Sequence, residues 1–198
     1  MTSAEFFLII KDEVINDMQR SGVLASLTAA QAYLESNSGN SKLAQAPNYN
    51  LFGIKGNYNG QSVLMNTKEH VNGQYITVKA TFRKYSSWAE SIRDHSDLFL
   101  RLKRYENLIG EKNYKEACRK VQADGYATAP TYTASLILVI EQYKLYEWDK
   151  DIVPDPELDE AVDVIARRVI DGKFGYGHDT RMLKIYELIR CRVNDILK

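Results

Sequence analysis

A chain of 198 residues can bury one good core and carry a small satellite domain. It is 44% hydrophobic and 26% charged, the composition of an ordinary globular protein. Its 26 basic residues are matched by 26 acidic ones, which argues against a nucleic-acid partner, and its apolar runs are too short for membrane insertion.

The chain opens Met1-Thr2-Ser3-Ala4-Glu5, without the basic n-region, apolar run and cleavage site of a secretory signal, so synthesis in the cytoplasm is expected. Thr2 and Glu5 have capping-box spacing, and Phe6, Ile10, Val14 and Met18 follow at four-residue intervals, which predicts an amphipathic helix. Ser26 is expected to cap a second, alanine-rich helix through Leu27, Ala30 and Leu34. Ser36-Asn37-Ser38-Gly39-Asn40 favours turns, so Glu35 falls in the last turn of that helix. Residues 40–60, with Pro47, Gly53, Gly56 and Gly60, read as an irregular loop. Alternating runs at 63–71 and 74–82 flank Asn72-Gly73, the strongest short hairpin signal.

Ser87 and Glu90 open a helix with Trp88, Ile92, His95, Phe99 and Leu102 on one stripe. Asn113 and Glu116 repeat the device before Ala117 and Val121, with Gly125 as the stop. A last helix of this domain is expected over about 131–147, buried through Leu136, Val139, Ile140 and Tyr143. A stretch with Pro154 and Pro156 and mostly acidic residues reads as a linker. Val162, Ile165, Ala166 and Val169, then Leu183, Tyr186, Ile189 and Val193, supply the apolar face of a small helical bundle. The expected organisation is a mainly α, α+β domain over 1–148 with a small β-hairpin lobe, a linker over 149–160 and a helical module over 161–198.

Glycoside cleavage needs a carboxylic acid still protonated near neutral pH, and usually a second carboxylate across the bond. At a helix C-terminus the dipole's negative end and apolar neighbours both push a carboxyl upward, which suits Glu35 to the first role; an exposed helix-end glutamate is the plain alternative. With a two-residue turn at Asn72-Gly73, Val71 pairs with Gln74 and Glu69 lies opposite Ile76. Alternation puts Glu69 on the apolar side with Val71, Ile76 and Val78, where a carboxylate is costly unless it is paired, at a sheet edge or working. His95, on a core stripe, reads as a hydrogen-bonded core histidine, and Cys118 and Cys191 as two free buried thiols. No histidine or cysteine spacing suits a metal, and Gly172, Gly175 and Gly177 lack the strand that a nucleotide loop needs. No cofactor is expected.

Ala30-Gln31-Ala32-Tyr33-Leu34-Glu35-Ser36 with Gly39-Asn40-Ser41 resembles the motif around the catalytic glutamate of glycoside hydrolase family 73. These are the endo-β-N-acetylglucosaminidases of bacterial autolysins, flagellar wall hydrolases and phage lysins. Three further blocks resemble the family in its own order: Asn50-Leu51-Phe52-Gly53-Ile54-Lys55, the hairpin with Thr67, Glu69 and Gly73 closing on Phe82-Arg83 and Tyr85, and Gly125-Tyr126-Ala127-Thr128 with Pro130 and Tyr132. One departure is Ala129, where the family usually has aspartate before the proline.

The resemblance implies a lysozyme-like helical domain with a β-lobe and a cleft between them. It implies Glu35 as general acid, Glu69 as second carboxylate on a mobile hairpin, and Tyr126 as the residue positioning the sugar or the attacking water. Phe52 and Tyr132 would line the cleft with Asn50 nearby, and the substrate would be the glycan strands of bacterial peptidoglycan, cut between N-acetylglucosamine and N-acetylmuramic acid. A muramidase or lytic transglycosylase on the same fold, or a non-catalytic wall-binding or virion structural protein, are the alternatives. Residues 165–177, then Arg181, Leu183, Tyr186 and Val193-Asn194, resemble the muropeptide-binding repeats of phage lysins, with Asp163 and Arg181 as contact residues. The whole resembles a phage endolysin, held in the host cytoplasm until release to the wall.

Overall fold

The computed structural model describes residues 1–71 and 74–150, and side chains outside 68–76. The expected linker beyond Lys150, the module over 161–198, Asp163, Arg181 and Cys191 lie outside the described residues.

Helix α1 runs Ser3–Ser21 and starts on the expected capping box, Thr2 accepting from the Glu5 amide while the Glu5 carboxylate accepts from that of Thr2. Phe6, Ile10 and Val14 are buried on its inner face. Helix α2, Ala25–Ser36, departs from expectation at its start. Ser26 lies inside the helix and caps nothing; its backbone N–H and its hydroxyl both donate to the Asp149 carboxylate, at 2.8 and 2.7 Å. Asp149, assigned by sequence to the linker, thus holds the N-terminus of α2 from 123 residues away.

Beyond α2 the backbone turns through Asn37 and Ser38, both left-handed at φ 54°. The Ser36 hydroxyl donates to Ala32 O at 2.5 Å and accepts from the Gly39 amide at 2.7 Å, tying that turn to the helix it follows. Gly39 has φ 71°, and a Cβ there would come within 2.8 Å of the Trp88 ring, so only glycine lets the loop pass.

Strands β1, Ser62–Val71, and β2, Gln74–Arg83, form an antiparallel hairpin in the expected register, Val71 opposite Gln74 and Glu69 opposite Ile76. Its root is fixed where Arg83 and Tyr85 converge on Asp94 of helix α3, Trp88–Arg101. Asp94 is only 2% exposed, so its charge is tolerated through these partners. Ser87 caps α3 as expected, but the Glu90 carboxylate reaches the Ser86 amide, and Leu102 falls outside the helix and 40% exposed.

A 3₁₀ segment, Lys103–Leu108, leads to helix α4, Tyr114–Ala123, capped by Asn113 as expected. Cys118 on its inner face is a free buried thiol, and burial pushes it up to about 12. Helix α5 is shorter than the expected span. It covers Tyr132–Gln142, and Lys144 at φ 53° breaks it before a second 3₁₀ segment, Leu145–Lys150. Phe6, Ile10, Leu27, Ile92, Leu136 and Ile140 meet in one core, so the architecture is mostly helical with a small two-stranded lobe.

Candidate active site

Glu35 sits in the last turn of α2, ahead of the left-handed C-cap Asn37. The residue is exposed on its open side, yet enough protein surrounds the carboxyl that burial raises its pKa above the ordinary carboxylate range. These two facts agree, because a side chain open to water on one side still loses solvation on the others. The Tyr132 hydroxyl donates to Glu35 Oε1 at 2.9 Å and offsets part of that upward shift. Tyr132 is the first residue of α5 and is 8% exposed. Burial first, then the Glu35 carboxylate, drives the phenol pKa upward, so Tyr132 is a permanent donor at working pH.

Tyr126 leaves the end of α4 in the loop before α5, its ring stacked on that of Tyr132 at 6.0 Å and 22°. Its hydroxyl is also pushed well above the usual tyrosine range, mainly by burial and then by Tyr132 and Glu35. The loop is clasped by Gln122. Its Nε2 donates to Ala129 O at 2.9 Å, and its Oε1 accepts from the Thr133 amide at 2.8 Å and from the Thr133 hydroxyl. This clasp spans the position where the family motif differs, Ala129.

The rings continue inward. His95 packs edge-on to Tyr126 at 5.7 Å and stacks on Phe52 at 3.9 Å. His95 is fully buried as expected, but the expected hydrogen bond is not made: neither ring nitrogen has a partner among the described residues. Burial pushes the imidazole down to about 3, so it is neutral near pH 7 and carries no acid–base role there.

Four of the expected site residues, Glu35, Tyr132, Tyr126 and Phe52, are therefore joined through contacts that include His95. Two expected site residues, Phe52 and Asn50, are deeply buried. Phe52 is only 5% exposed, its ring stacked on His95, which in turn packs edge-on to Tyr126. Asn50 is 1% exposed, its Nδ2 donating to Ile54 O at 3.0 Å and Arg83 O at 2.8 Å while its Oδ1 accepts from the Ile54 amide at 3.1 Å. An amide so engaged shapes the turn that presents Phe52, with its donors and its oxygen committed to backbone partners. Glu69 is placed on β1 by its register with Ile76.

Sequence reasoning missed Gln31. It lies one turn before Glu35, is 0% exposed, and its Nε2 donates to the Tyr132 hydroxyl at 3.2 Å. The signal was legible: a lone amide among Ala29, Ala30 and Ala32, four residues ahead of the candidate acid. A separate cavity of about 370 Å³ opens between the 47–61 loop and the start of α3, and none of the candidate site residues lines it. Among the described residues, no group of three or more His, Cys, Asp or Glu side chains could hold a metal ion.

Residues 11–145 match the glucosaminidase family model, described as mannosyl-glycoprotein endo-beta-N-acetylglucosaminidase. The exo-glucosaminidase LytG of Bacillus subtilis is 47% identical over 133 residues, covering 65% of this chain and 47% of that protein. The catalytic domain of the autolysin Auto from Listeria monocytogenes matches with a TM-score of 0.69 at 36% identity, over 74% of this chain and 86% of that one. A C-terminally truncated glycoside hydrolase domain of Salmonella typhimurium FlgJ matches with a TM-score of 0.62 at 33% identity, over 72% of this chain and 98% of that one. The chain spans less than half the length of the curated relatives it matches. With that match across most of its length, and with Glu35, Tyr126 and Tyr132 assembled as described, the chain belongs to the glucosaminidase family, glycoside hydrolase family 73.

Proposed function

We propose that this chain hydrolyses the glycan strands of bacterial peptidoglycan, cutting the β-1,4 bond between N-acetylglucosamine and N-acetylmuramic acid with Glu35 as general acid. The observation that carries the reading is the Glu35 carboxyl, open on one side, raised by burial and held by Tyr132. Such a group keeps a proton to give at a pH where an ordinary glutamate has lost it.

As the bond between C1 and the glycosidic oxygen breaks, that oxygen takes the Glu35 proton and the N-acetylmuramic acid side departs as a neutral alcohol. Glu35 becomes a carboxylate, and the Tyr132 hydroxyl stabilises it by a charge-assisted bond. Positive charge growing at C1 calls for a second carboxylate, a role we assign to Glu69 on the hairpin. Glu69 either activates the attacking water or supports attack by the substrate's own acetamido group. Tyr126, a neutral hydroxyl throughout the working range, serves as donor to the sugar or the incoming water. The segment 161–198 would hold the wall through muropeptide contacts at Asp163 and Arg181, and the chain would act as a phage endolysin that reaches the wall on release from the host cytoplasm.

Digestion of purified walls, followed by mass analysis of the fragments, tests the reading. New N-acetylglucosamine reducing ends are expected. Glu35→Gln should lower the rate about 100- to 10,000-fold without unfolding the domain, and Glu69→Gln should cost less. An equally active Glu35→Gln protein overturns the assignment of the acid. N-acetylmuramic acid ends, or their anhydro form, overturn the choice of bond.

A further inference from the structure

Three side chains stand in series at the end of α2. The Gln31 Nε2 donates to the Tyr132 hydroxyl at 3.2 Å, and that hydroxyl donates to Glu35 Oε1 at 2.9 Å. A phenol has one proton to give. With the amide donating to its oxygen, the tyrosine's proton is directed at Glu35 Oε1, and an oxygen accepting there does not also aim the acid's own proton back at Tyr132.

We infer that Gln31 is a positioning residue, which orients the Tyr132 hydroxyl toward Glu35 Oε1 and so keeps the transferable proton on Oε2, the oxygen the tyrosine does not hold. The inference deepens the assignment of Glu35 as the acid and rests on it. The alternative arrangement makes the consequence clear. Were an acceptor placed where the Gln31 amide donates, the phenol would point its proton away from Glu35 and turn a lone pair toward it. Glu35 would then hold its proton on Oε1, against Tyr132, where no glycosidic oxygen can take it. An apolar side chain at 31 would permit both arrangements; a buried amide donor selects one.

The same series tunes acidity. Donation from Gln31 polarises the phenol and strengthens its bond to the carboxylate, so the relay works against the rise that burial causes. Among the described residues, the titratable group acting on Glu35 is Tyr132 from α5, and Glu35 in turn raises Tyr126 in the loop before it. Both hydroxyls are pushed above the range in which Glu35 titrates, so neither changes charge with it. Any effect of Glu69 is common to every variant compared.

The test is a carbon-13 NMR titration of the Glu35 carboxyl in the full chain, its resonance assigned by its loss in Glu35→Gln. Tyr132→Phe should move the midpoint up by about one pH unit, the worth of one hydrogen bond to a charged group. Gln31→Met should move it up by about half a unit, lower kcat about tenfold and leave KM in place. In the Tyr132→Phe background, Gln31→Met should add nothing, because the relay is already broken. An unmoved midpoint in Gln31→Met, or the same shift in both backgrounds, overturns the inference.

Should Gln31→Met fail to fold, the wild-type protein still decides. The Gln31 side-chain amide protons must shift with the Glu35 midpoint, and resonances indifferent to it sink the relay. These titrations need no glycan cleavage. A wild-type protein that cuts no wall therefore removes the proposed function while leaving the relay to be judged on its own.

Discussion

Helix α2 carries the candidate acid but has no cap from its own neighbourhood, since Leu24 offers no side-chain acceptor. Its first turn is held by Asp149, whose carboxylate accepts from the Ser26 amide at 2.8 Å and the Ser26 hydroxyl at 2.7 Å. Asp149→Ala removes both acceptors from a residue that is 0% exposed. Loss of a helix cap costs about 1 kcal/mol. A stranded buried hydroxyl adds about 1 to 2 kcal/mol. The expected destabilisation is therefore about 2 to 3 kcal/mol, a drop of roughly 5 to 10 °C in Tm for a domain of this size.

Asp149→Asn is expected to behave differently. Burial outweighs the two Ser26 bonds and raises the Asp149 carboxyl above the ordinary aspartate range. A neutral group is thus acceptable there. The amide's Oδ1 can accept from the Ser26 N–H, and the Ser26 hydroxyl can turn to accept from Nδ2. The substitution should cost less than about 1 kcal/mol. The sign follows from the raised folded pKa. The stability Asp149 contributes is full below its unfolded pKa and declines as pH rises through the folded value, so the wild type's advantage over Asp149→Asn narrows toward neutrality. Thermal melts and urea titrations followed by far-UV circular dichroism measure both variants. An Asp149→Ala protein that melts within about 2 °C of wild type would refute the clasp.

Two further substitutions probe the rings behind Glu35. Tyr126→Phe keeps the stack on Tyr132 and the edge contact with His95 while removing the hydroxyl, so kcat should fall about 100-fold with little change in KM or Tm; steady-state kinetics on solubilised glycan would contradict the assigned role if kcat held. His95→Phe addresses acid stability. Burial holds the imidazole down at about 3, so as pH falls below the ordinary histidine range the unfolded chain takes up a proton that the folded chain refuses. Wild type should lose about 1.4 kcal/mol per pH unit over that window from this group alone. His95→Phe, stacked on Phe52 in the same slot, should unfold at a lower pH, and an unchanged acid-unfolding midpoint would show that another group governs it.

What the sequence disclosed divides by range. The Thr2, Ser87 and Asn113 caps act on amides two or three residues ahead, and the hairpin register follows from two turn residues, so a short window contains the whole cause. The cap on α2 was misread because its acceptor, Asp149, is 123 residues from Ser26, and a local reading sees only the nearest hydroxyl. Asn50 was legible as a special residue within a motif, but its purpose depends on Arg83 O, across the loop and at the end of β2. His95 was placed correctly on a buried stripe; that its neighbours are rings instead of acceptors is a property of the folded interior. The end of α5 turns on Lys144, a residue whose side chain gives no warning of a left-handed backbone.

The acid's position is consequently a tertiary property. α2 has neither an acidic residue in its first turn nor a basic one in its last, so it lacks the usual charges that steady an isolated helix. Its two ends are held by residues from the last part of the described chain: Asp149 binds the first turn and Tyr132 binds Glu35 in the last. Residues 132 to 149 must therefore dock on α2 before the Glu35 carboxyl has both its burial and its hydroxyl partner. A carboxyl made costly to ionise by that docking draws against the stability of the fold, and the buried contacts of Leu136, Ile140 and Leu145 along the same stretch supply the offset. The segment that perturbs the acid is thus the one that stabilises the domain around it, so a variant that loosens α5 or the 3₁₀ segment after it should lower activity before it unfolds the protein.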